Sequence, residues 1–262
     1  MRRFTGEYLE RTREGMWKDS RRALEPLDLG SRSTVLDVGA GTGALTAVLR
    51  EEAAGDVIAV DADPELLDSV APPRLLGDAR RLPIDRGTIE LVVCQALLVN
   101  LPEPRRAIEE FVKVATDHVA VIEPDNAEVT VESTVDAESR LARQARERYL
   151  DGVETPAALG DAADLFHEIG LRDIEVTRYD HVRTIEGPYD EADVEAARRK
   201  VTGEGLTTDR ATILAGTTTP AEFDDLKQNW RAMGREVAEQ MRNGEYKRRE
   251  TVPFYVTVGR IS

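Results

Sequence analysis

Several residue types are scarce in this 262-residue chain, and each scarcity excludes a class of protein. Cys94 is the single cysteine, so no disulfide can form within the chain. The three histidines, His118, His167 and His181, are too scattered to suggest a zinc site with that cysteine. No run of about 18 apolar residues occurs, and the N-terminus lacks the apolar segment of a signal peptide. We therefore expect a cytoplasmic protein without a metal site or a membrane span.

Lysine is also scarce, with five lysines against 30 arginines, and the 50 acidic residues outnumber the 35 basic ones to give a net charge of −15. This bias resembles that of proteins from halophilic archaea, in which an acidic surface keeps a protein soluble at high salt. Nucleic-acid binding depends on Lys and Arg that neutralise phosphates. Arg80, Arg81, Arg105 and Arg106 form no continuous basic tract, so the sequence disfavours a nucleic-acid partner.

The most informative segment is residues 35–46, where an apolar strand leads into a glycine-dense turn and then a helix. Gly39, Gly41 and Gly43 lack side chains where the backbone turns tightly, and the helix directs free N–H groups toward a ligand. This pattern is typical of sites for nucleoside-bearing cofactors. The glycines do not identify the cofactor, because Gly39, Gly41 and Ala44 also satisfy the G-x-G-x-x-G/A pattern of dehydrogenases.

The residue before the turn favours one cofactor. Asp37 lies at the carboxyl end of the strand, where the pyrophosphate of a dinucleotide would pass. A carboxylate there suits a cation better, and S-adenosylmethionine has a sulfonium and an ammonium but no phosphate. The segment resembles the first motif of class I (Rossmann-like) S-adenosylmethionine-dependent methyltransferases, an acid followed by G-x-G-x-G. The resemblance implies cofactor contacts at Asp37, Gly39, Ala40, Gly41 and Gly43.

Two further carboxylates follow in the order that this family shows. Asp61 ends an apolar run, residues 57–60, and comes about 20 residues after the glycines, the spacing at which an acid binds ribose hydroxyls. Ala62 lies beside it. Asp78 follows a third strand, where the resemblance implies an acid that binds the adenine amino group, with Ala79 adjacent.

The fourth strand, residues 89–94, ends where the resemblance places the methionine part of the cofactor, so Cys94 and Gln95 are expected contacts. A nucleophilic role for Cys94, as in enzymes that methylate C5 of pyrimidines, lacks the Pro-Cys or Thr-Cys-x-Pro sequence of those enzymes. We interpret Cys94 as a small apolar wall residue. The fifth strand, residues 119–122, ends at Glu123, for which two roles stay open, a site carboxylate or a strand-end cap. Glu123 and His181 are the candidate bases if the acceptor must lose a proton.

The resemblance implies an α/β fold with a seven-stranded, mostly parallel, doubly wound sheet and an antiparallel edge strand. Five strands with four crossover helices are expected within residues 33–124. We assign residues 31–184 and 250–262 to the cofactor-binding core and residues 185–249 to a helical insertion. The insertion is interpreted as a substrate cap, with a homodimer surface as the alternative. Residues 1–30 are expected to form a helical lid with three candidate substrate contacts, Tyr8, Met16 and Trp17; packing onto a domain face is the alternative.

The expected reaction is in-line displacement of the sulfonium methyl group by a small-molecule acceptor, with S-adenosylhomocysteine as product. Three alternatives stay open. The acceptor is RNA or a protein, the chain is a nicotinamide-dependent oxidoreductase, or it binds S-adenosylmethionine without catalysis.

Overall fold

Five short runs rich in β-branched and other apolar residues form parallel strands in the computed structural model, which describes residues 16–17 and 21–262. These strands are β1 (Thr34–Val38), β2 (Asp56–Asp61), β3 (Arg74–Leu76), β4 (Ile89–Gln95) and β5 (Ala115–Pro124). Three more are β6 (Thr130–Ser133), β7 (Arg172–Glu186) and β8 (Lys247–Arg260). The central strands β1 and β4 are almost wholly buried, as expected for a parallel sheet with both faces covered.

Nine α-helices lie in the described part of the chain. They are α1 (Ala44–Glu52), α2 (Pro64–Leu67), α3 (Pro104–Val114), α4 (Asp136–Gly152), α5 (Ala163–Ile169), α6 (Glu191–Thr202), α7 (Glu204–Thr208), α8 (Arg210–Ala215) and α9 (Pro220–Asn243). Short 3₁₀ helices cover Arg21–Leu27, Leu29–Ser31 and Leu98–Asn100. None of the helices that the structure describes is both long enough and apolar enough to cross a membrane.

The described chain divides into two compact units. The first contains the residues up to Asp125, Leu159–Tyr179 and Phe254–Ser262, and the second contains Asn126–Ala158 and Asp180–Pro253. The strands β7 and β8 each contribute one part to each unit. Residues 126–158 thus belong to the second unit, whereas the sequence interpretation had placed them in the core. The reason is that α4 buries Leu141 in a cluster with residues of α6, α8 and α9.

The first unit is built on a sheet with the strand order β3-β2-β1-β4-β5-β8, and β7 pairs with β8. Strand β8 runs antiparallel to β5, from the pair His118 and Arg260 to the pair Pro124 and Phe254. The expected mostly parallel sheet with an antiparallel edge is therefore confirmed, although the sheet has eight strands instead of seven because β6 also pairs with β8. The expectation of four crossover helices was wrong. The connection between β3 and β4, residues 77–88, is described throughout and contains no helix, because Pro83 and the turn at Gly87 (φ +62°) interrupt a short segment.

In the second unit β6 pairs antiparallel with residues 248–251 of β8. The helix α9 buries one apolar face, since Phe223, Leu226, Met233 and Val237 are all at most 3% exposed. They pack in one cluster with Tyr246. The strand β6 was not predicted, because its pairing partner lies more than a hundred residues further along the chain.

Candidate functional site

The glycine-dense turn connects β1 to α1 at the carboxyl end of the first unit's sheet. Gly39, Gly41 and Gly43 have φ values of 74°, 56° and 87°, a region that residues with a Cβ avoid. The N–H groups of Gly39 and Ala40 donate to the carbonyl of Val60, at 2.7 and 3.0 Å. A Cβ atom on Gly39 would lie 2.9 Å from Leu97 Cδ1. The turn therefore lies against the end of β2 and has no room for a side chain at Gly39.

Asp61 at the end of β2 holds this turn in place. Its Oδ2 accepts a hydrogen bond from Gly41 N at 2.7 Å, and its Oδ1 accepts one from Asp63 N at 2.8 Å. An ionised carboxylate has about four acceptor positions, so both oxygens keep lone pairs for the hydroxyls of a ligand. Ala62, also predicted from the sequence, is exposed next to it.

Asp37 and Thr46 link β1 to α1 beneath the turn. Asp37 is 1% exposed, and its Oδ2 accepts a hydrogen bond from Thr46 Oγ1 at 2.5 Å. Thr46 itself is buried on the first turns of α1. Thr46 is not among the residues predicted from the sequence, although its place in the first turn of the helix after the glycines could have indicated it.

Asp78 follows β3. It lies near Asp61, because the preceding Gly77 N donates a hydrogen bond to the Asp61 carbonyl at 2.9 Å. Its carboxylate forms a two-point pair with Arg80, with Nε to Oδ1 at 3.0 Å and Nη2 to Oδ2 at 2.7 Å. These hydrogen bonds hold the pKa of Asp78 below its ordinary value. The side chain is 46% exposed, so a ligand would share this carboxylate with Arg80. Ala79 is buried.

Glu123 at the end of β5 binds the loop that follows β4. Its Oε1 accepts hydrogen bonds from Leu97 N at 3.0 Å and Leu98 N at 2.9 Å, and its Oε2 accepts one from Val99 N at 3.3 Å. The side chain is fully buried, and this burial raises the pKa of Glu123 to about 7, although the hydrogen bonds from the three amides act to lower it. Because Leu97 also contacts the turn at Gly39, Glu123 supports the glycine turn through this loop.

Cys94 and Gln95 end β4 in the interior of the first unit. Cys94 is fully buried, and its Sγ lies 3.7 Å from Glu123 Oε1. Burial raises the pKa of the Cys94 thiol well above its ordinary value, and the nearby Glu123 and Asp37 charges raise it further. A thiol that stays protonated is a poor nucleophile, which agrees with the interpretation as a wall residue. Gln95 is 2% exposed and its Nε2 lies 2.8 Å from Met16 Sδ.

Two of the three predicted lid residues lie in the described part of the chain. Met16 and Trp17 are 1% and 6% exposed, and the Trp17 ring centroid lies 5.5 Å from that of Tyr179. Both side chains thus pack onto the first unit, and Met16 reaches the end of β4 through Gln95. Tyr8 lies outside the described residues. His181, the other candidate base, is buried on β7 and belongs to the second unit.

Residues 36–122 match a family model described as a methyltransferase domain, which covers the glycine turn, the three aspartates and the β4 end. No curated protein matches the chain in sequence.

Solved structures share the fold at low identity. A candidate methyltransferase from Bacillus halodurans C-125 is 15% identical with a TM-score of 0.54, over 93% of this chain and 98% of that chain. The YcgJ protein of Bacillus subtilis is 13% identical with a TM-score of 0.51, over 92% and 99%. A chain from the complex between the Haloferax volcanii Trm112 methyltransferase activator and a candidate methyltransferase is 16% identical with a TM-score of 0.50, over 98% and 93%. These likenesses establish the Rossmann-like methyltransferase fold.

Proposed function

We propose that the first unit binds S-adenosylmethionine and that the protein transfers its methyl group to a small-molecule acceptor. The observation that carries the proposal is the glycine turn held by Asp61, with Gly41 N bonded to Oδ2 at 2.7 Å. The methyltransferase domain match over residues 36–122 supports the same conclusion.

The acids at the strand ends fit this cofactor. Asp37, Asp61 and Asp78 follow or end the three neighbouring strands β1, β2 and β3. Asp78 forms an ion pair with Arg80. A field of carboxylates attracts a sulfonium and an ammonium and repels a diphosphate. This favours S-adenosylmethionine over a nicotinamide dinucleotide.

Each acid has a separate role in the proposal. Asp61 accepts hydrogen bonds from the ribose hydroxyls with its remaining lone pairs, and Asp78 accepts one from the adenine amino group. Asp37 stabilises positive charge from below the turn. The cofactor, when bound, supplies a methyl group activated by the sulfonium, and the chain's part is to bind, orient and exclude water.

Glu123 is proposed as a support and not as a base. Its two oxygens already accept three backbone N–H groups, and the side chain is fully buried. Removing a proton from an acceptor would require a carboxylate that reaches the acceptor directly.

A small acceptor is favoured over RNA by charge. The chain carries −15, and phosphate binding relies on clustered Lys and Arg at the interface. The described residues of the first unit carry acids at the carboxyl ends of their strands instead.

Calorimetric titration tests the cofactor. We expect wild-type protein to bind S-adenosylmethionine and S-adenosylhomocysteine, and Asp61→Asn to bind them about 10- to 100-fold more weakly, since hydrogen bonds to a charged acceptor are lost. Asp56→Asn is the matched control, because it removes a carboxylate from the exposed opposite end of the same strand. Binding of NAD in preference, or equal affinity of both variants, would refute the cofactor assignment.

The acceptor class needs a separate experiment. Protein incubated with methyl-labelled cofactor and a fractionated cell extract should place the label in the small-molecule fraction. Label in RNA or protein would overturn the acceptor class and leave the cofactor assignment intact. Cofactor binding without any transfer would identify a non-catalytic binding protein.

A further inference from the structure

The second unit contains a compact group of cationic side chains that the proposed methyl transfer does not use. We call it the arginine cluster. Its members come from four elements and surround two carboxylates; they are Arg146 on α4, Arg183 on β7, Lys200 on α6 and Arg248 on β8, with Glu138 on α4 and Glu250 on β8. Such a group is unexpected in a chain of net charge −15.

Strand and helix periodicity brings these residues to one place. Arg248 and Glu250 are two residues apart on β8 and point to the same face of the sheet. Glu138 and Arg146 are eight residues apart on α4 and lie on the same side of that helix.

One part of the cluster is internally complete. Glu138 is 1% exposed, and its oxygens accept hydrogen bonds from Lys200 Nζ at 2.6 Å, Ser133 Oγ at 2.6 Å and Tyr246 Oη at 2.9 Å. Arg248 Nε lies 3.3 Å from the same carboxylate. The charges of Glu138 and Lys200 therefore cancel within this part.

The other part has more positive than negative charge. Glu250 pairs with Arg248 at 2.5 Å and with Arg183 at 3.6 Å. Arg146 donates Nη1 to the Val129 carbonyl at 2.7 Å, and no carboxylate among the described residues forms an ion pair with it. Because Arg248 lies between Glu138 and Glu250, the four cations of the cluster face two carboxylates.

The pKa shifts of a carboxylate and of an arginine in the cluster agree with this excess of positive charge. Arg248, Arg183 and Arg146 lower the pKa of Glu250 although burial raises it. Burial lowers the pKa of Arg146, and so does the neighbouring Arg248 charge, against the attraction of Glu250 and Glu147. Partly buried cations that outnumber the carboxylates between them are costly, and an added anion would relieve that cost.

We propose that Arg146, Arg183 and Arg248 form a binding site for an oxyanion, either a carboxylate or a phosphate monoester. Guanidinium groups suit both because their planar donors match paired oxygens. Arg183 is 31% exposed, so a small anion has access to the cluster from solvent, whereas Arg248 is 15% exposed. The site lies within the second unit and does not depend on the identity of the methyl donor.

Titration calorimetry with inorganic phosphate and with malonate, at constant ionic strength set by sodium chloride, tests the site. We expect saturable binding of at least one of them, weakened about tenfold or more in Arg146→Gln, because a charge-assisted contact is lost. Preference for phosphate would indicate a phosphate ester as the natural ligand, and preference for malonate a carboxylate. Arg249→Gln is the matched control, since Arg249 is the exposed neighbour on the other face of β8, and it should bind as the wild type does.

A second variant keeps the test decisive if Arg146→Gln fails to fold. Glu250→Gln removes the carboxylate that competes for the arginines, so the oxyanion should bind about tenfold more tightly to it. No saturable binding to either wild-type protein or Glu250→Gln would overturn the proposal. Equal weakening in the Arg146 and Arg249 variants would do the same, because it would reveal a general charge effect.

Discussion

The buried carboxylate of Glu123 should make the stability of the protein fall as pH rises through neutrality. Burial raises its pKa from 4.5 to about 7, so between these values the folded state keeps a proton that the unfolded chain has released. Stability that depends on that proton is fully present below the unfolded pKa and is lost as pH passes the folded one. The linkage relation gives a loss of about 2 kcal/mol in unfolding free energy between about pH 5.5 and pH 8.

Glu123→Gln isolates this contribution, since it has nearly the same shape and cannot ionise. The variant retains one acceptor oxygen for Leu97 N and Leu98 N, but its amide nitrogen would face Val99 N. The lost hydrogen bond from Val99 N, and the two donors that then face each other, lower the unfolding free energy by about 1–3 kcal/mol at pH values where the wild-type carboxyl is protonated. The advantage of wild type over variant should therefore be largest near pH 5.5 and shrink by about 2 kcal/mol by pH 8.

Urea unfolding of both proteins at several pH values measures this difference directly. Other titrating groups occur in both proteins, so their contributions cancel in the comparison. Glu90→Gln is a useful control because it removes a carboxylate that accepts Ser33 N at 2.7 Å from a partly exposed position. A wild-type advantage over Glu123→Gln that stays constant from pH 5.5 to 8 would refute the argument that burial governs this carboxyl group.

Two further predictions concern packing and charge. Gly39→Ala should destabilise the protein by more than Gly170→Ala. Both positions have positive φ, which costs about 1–2 kcal/mol for a residue with a Cβ. A Cβ at Gly39 would also meet Leu97, whereas a Cβ at Gly170 would lie in open space. Thermal unfolding checks this, and equal effects would show that Leu97 moves aside freely. Lys200→Met should cost about 3–5 kcal/mol in urea unfolding, because it leaves Glu138 buried without its nearest cation. Adding Glu138→Gln should recover much of that loss; a double variant no more stable than the single one would contradict the charge argument.

The local part of the fold could be predicted from the sequence because its signals are local. The apolar strand, the glycines and the helix after them are contiguous in residues 35–46, and they form β1, the turn and α1. The end of α5 is also a local feature, because Gly170 has the left-handed conformation that is typical of a helix C-cap. The apolar residues of α9 recur at three- and four-residue spacing, which is the pattern of a helix that buries one face.

The rest depends on contacts between distant residues, which leave no local pattern. The four residues of β6 form a strand through pairing with β8, and nothing near them indicates that partner. The amide donors to Glu123 lie about 25 residues before it, so its role as a support was not separable from a role in the site. Ala96 has φ +47°, which alanine rarely adopts, and its sequence gives no hint of that conformation.

The four acids at the carboxyl ends of the strands differ in how far the protein already uses them. Glu123 is fully buried and committed to three amides, and Asp37 is buried with Thr46. Asp61 uses some of its hydrogen-bond acceptor positions for backbone N–H groups of Gly41 and Asp63, and Asp78 is nearly half exposed beside Arg80. Ligand contact should therefore fall mainly on Asp61 and Asp78, while the two buried acids set the shape and the negative potential of the site. A cation entering that potential would gain from Asp37, Asp61 and Asp78, and from Glu123 where it is ionised above about pH 7. This charge favours the proposed cofactor, which has a sulfonium, over one with a pyrophosphate.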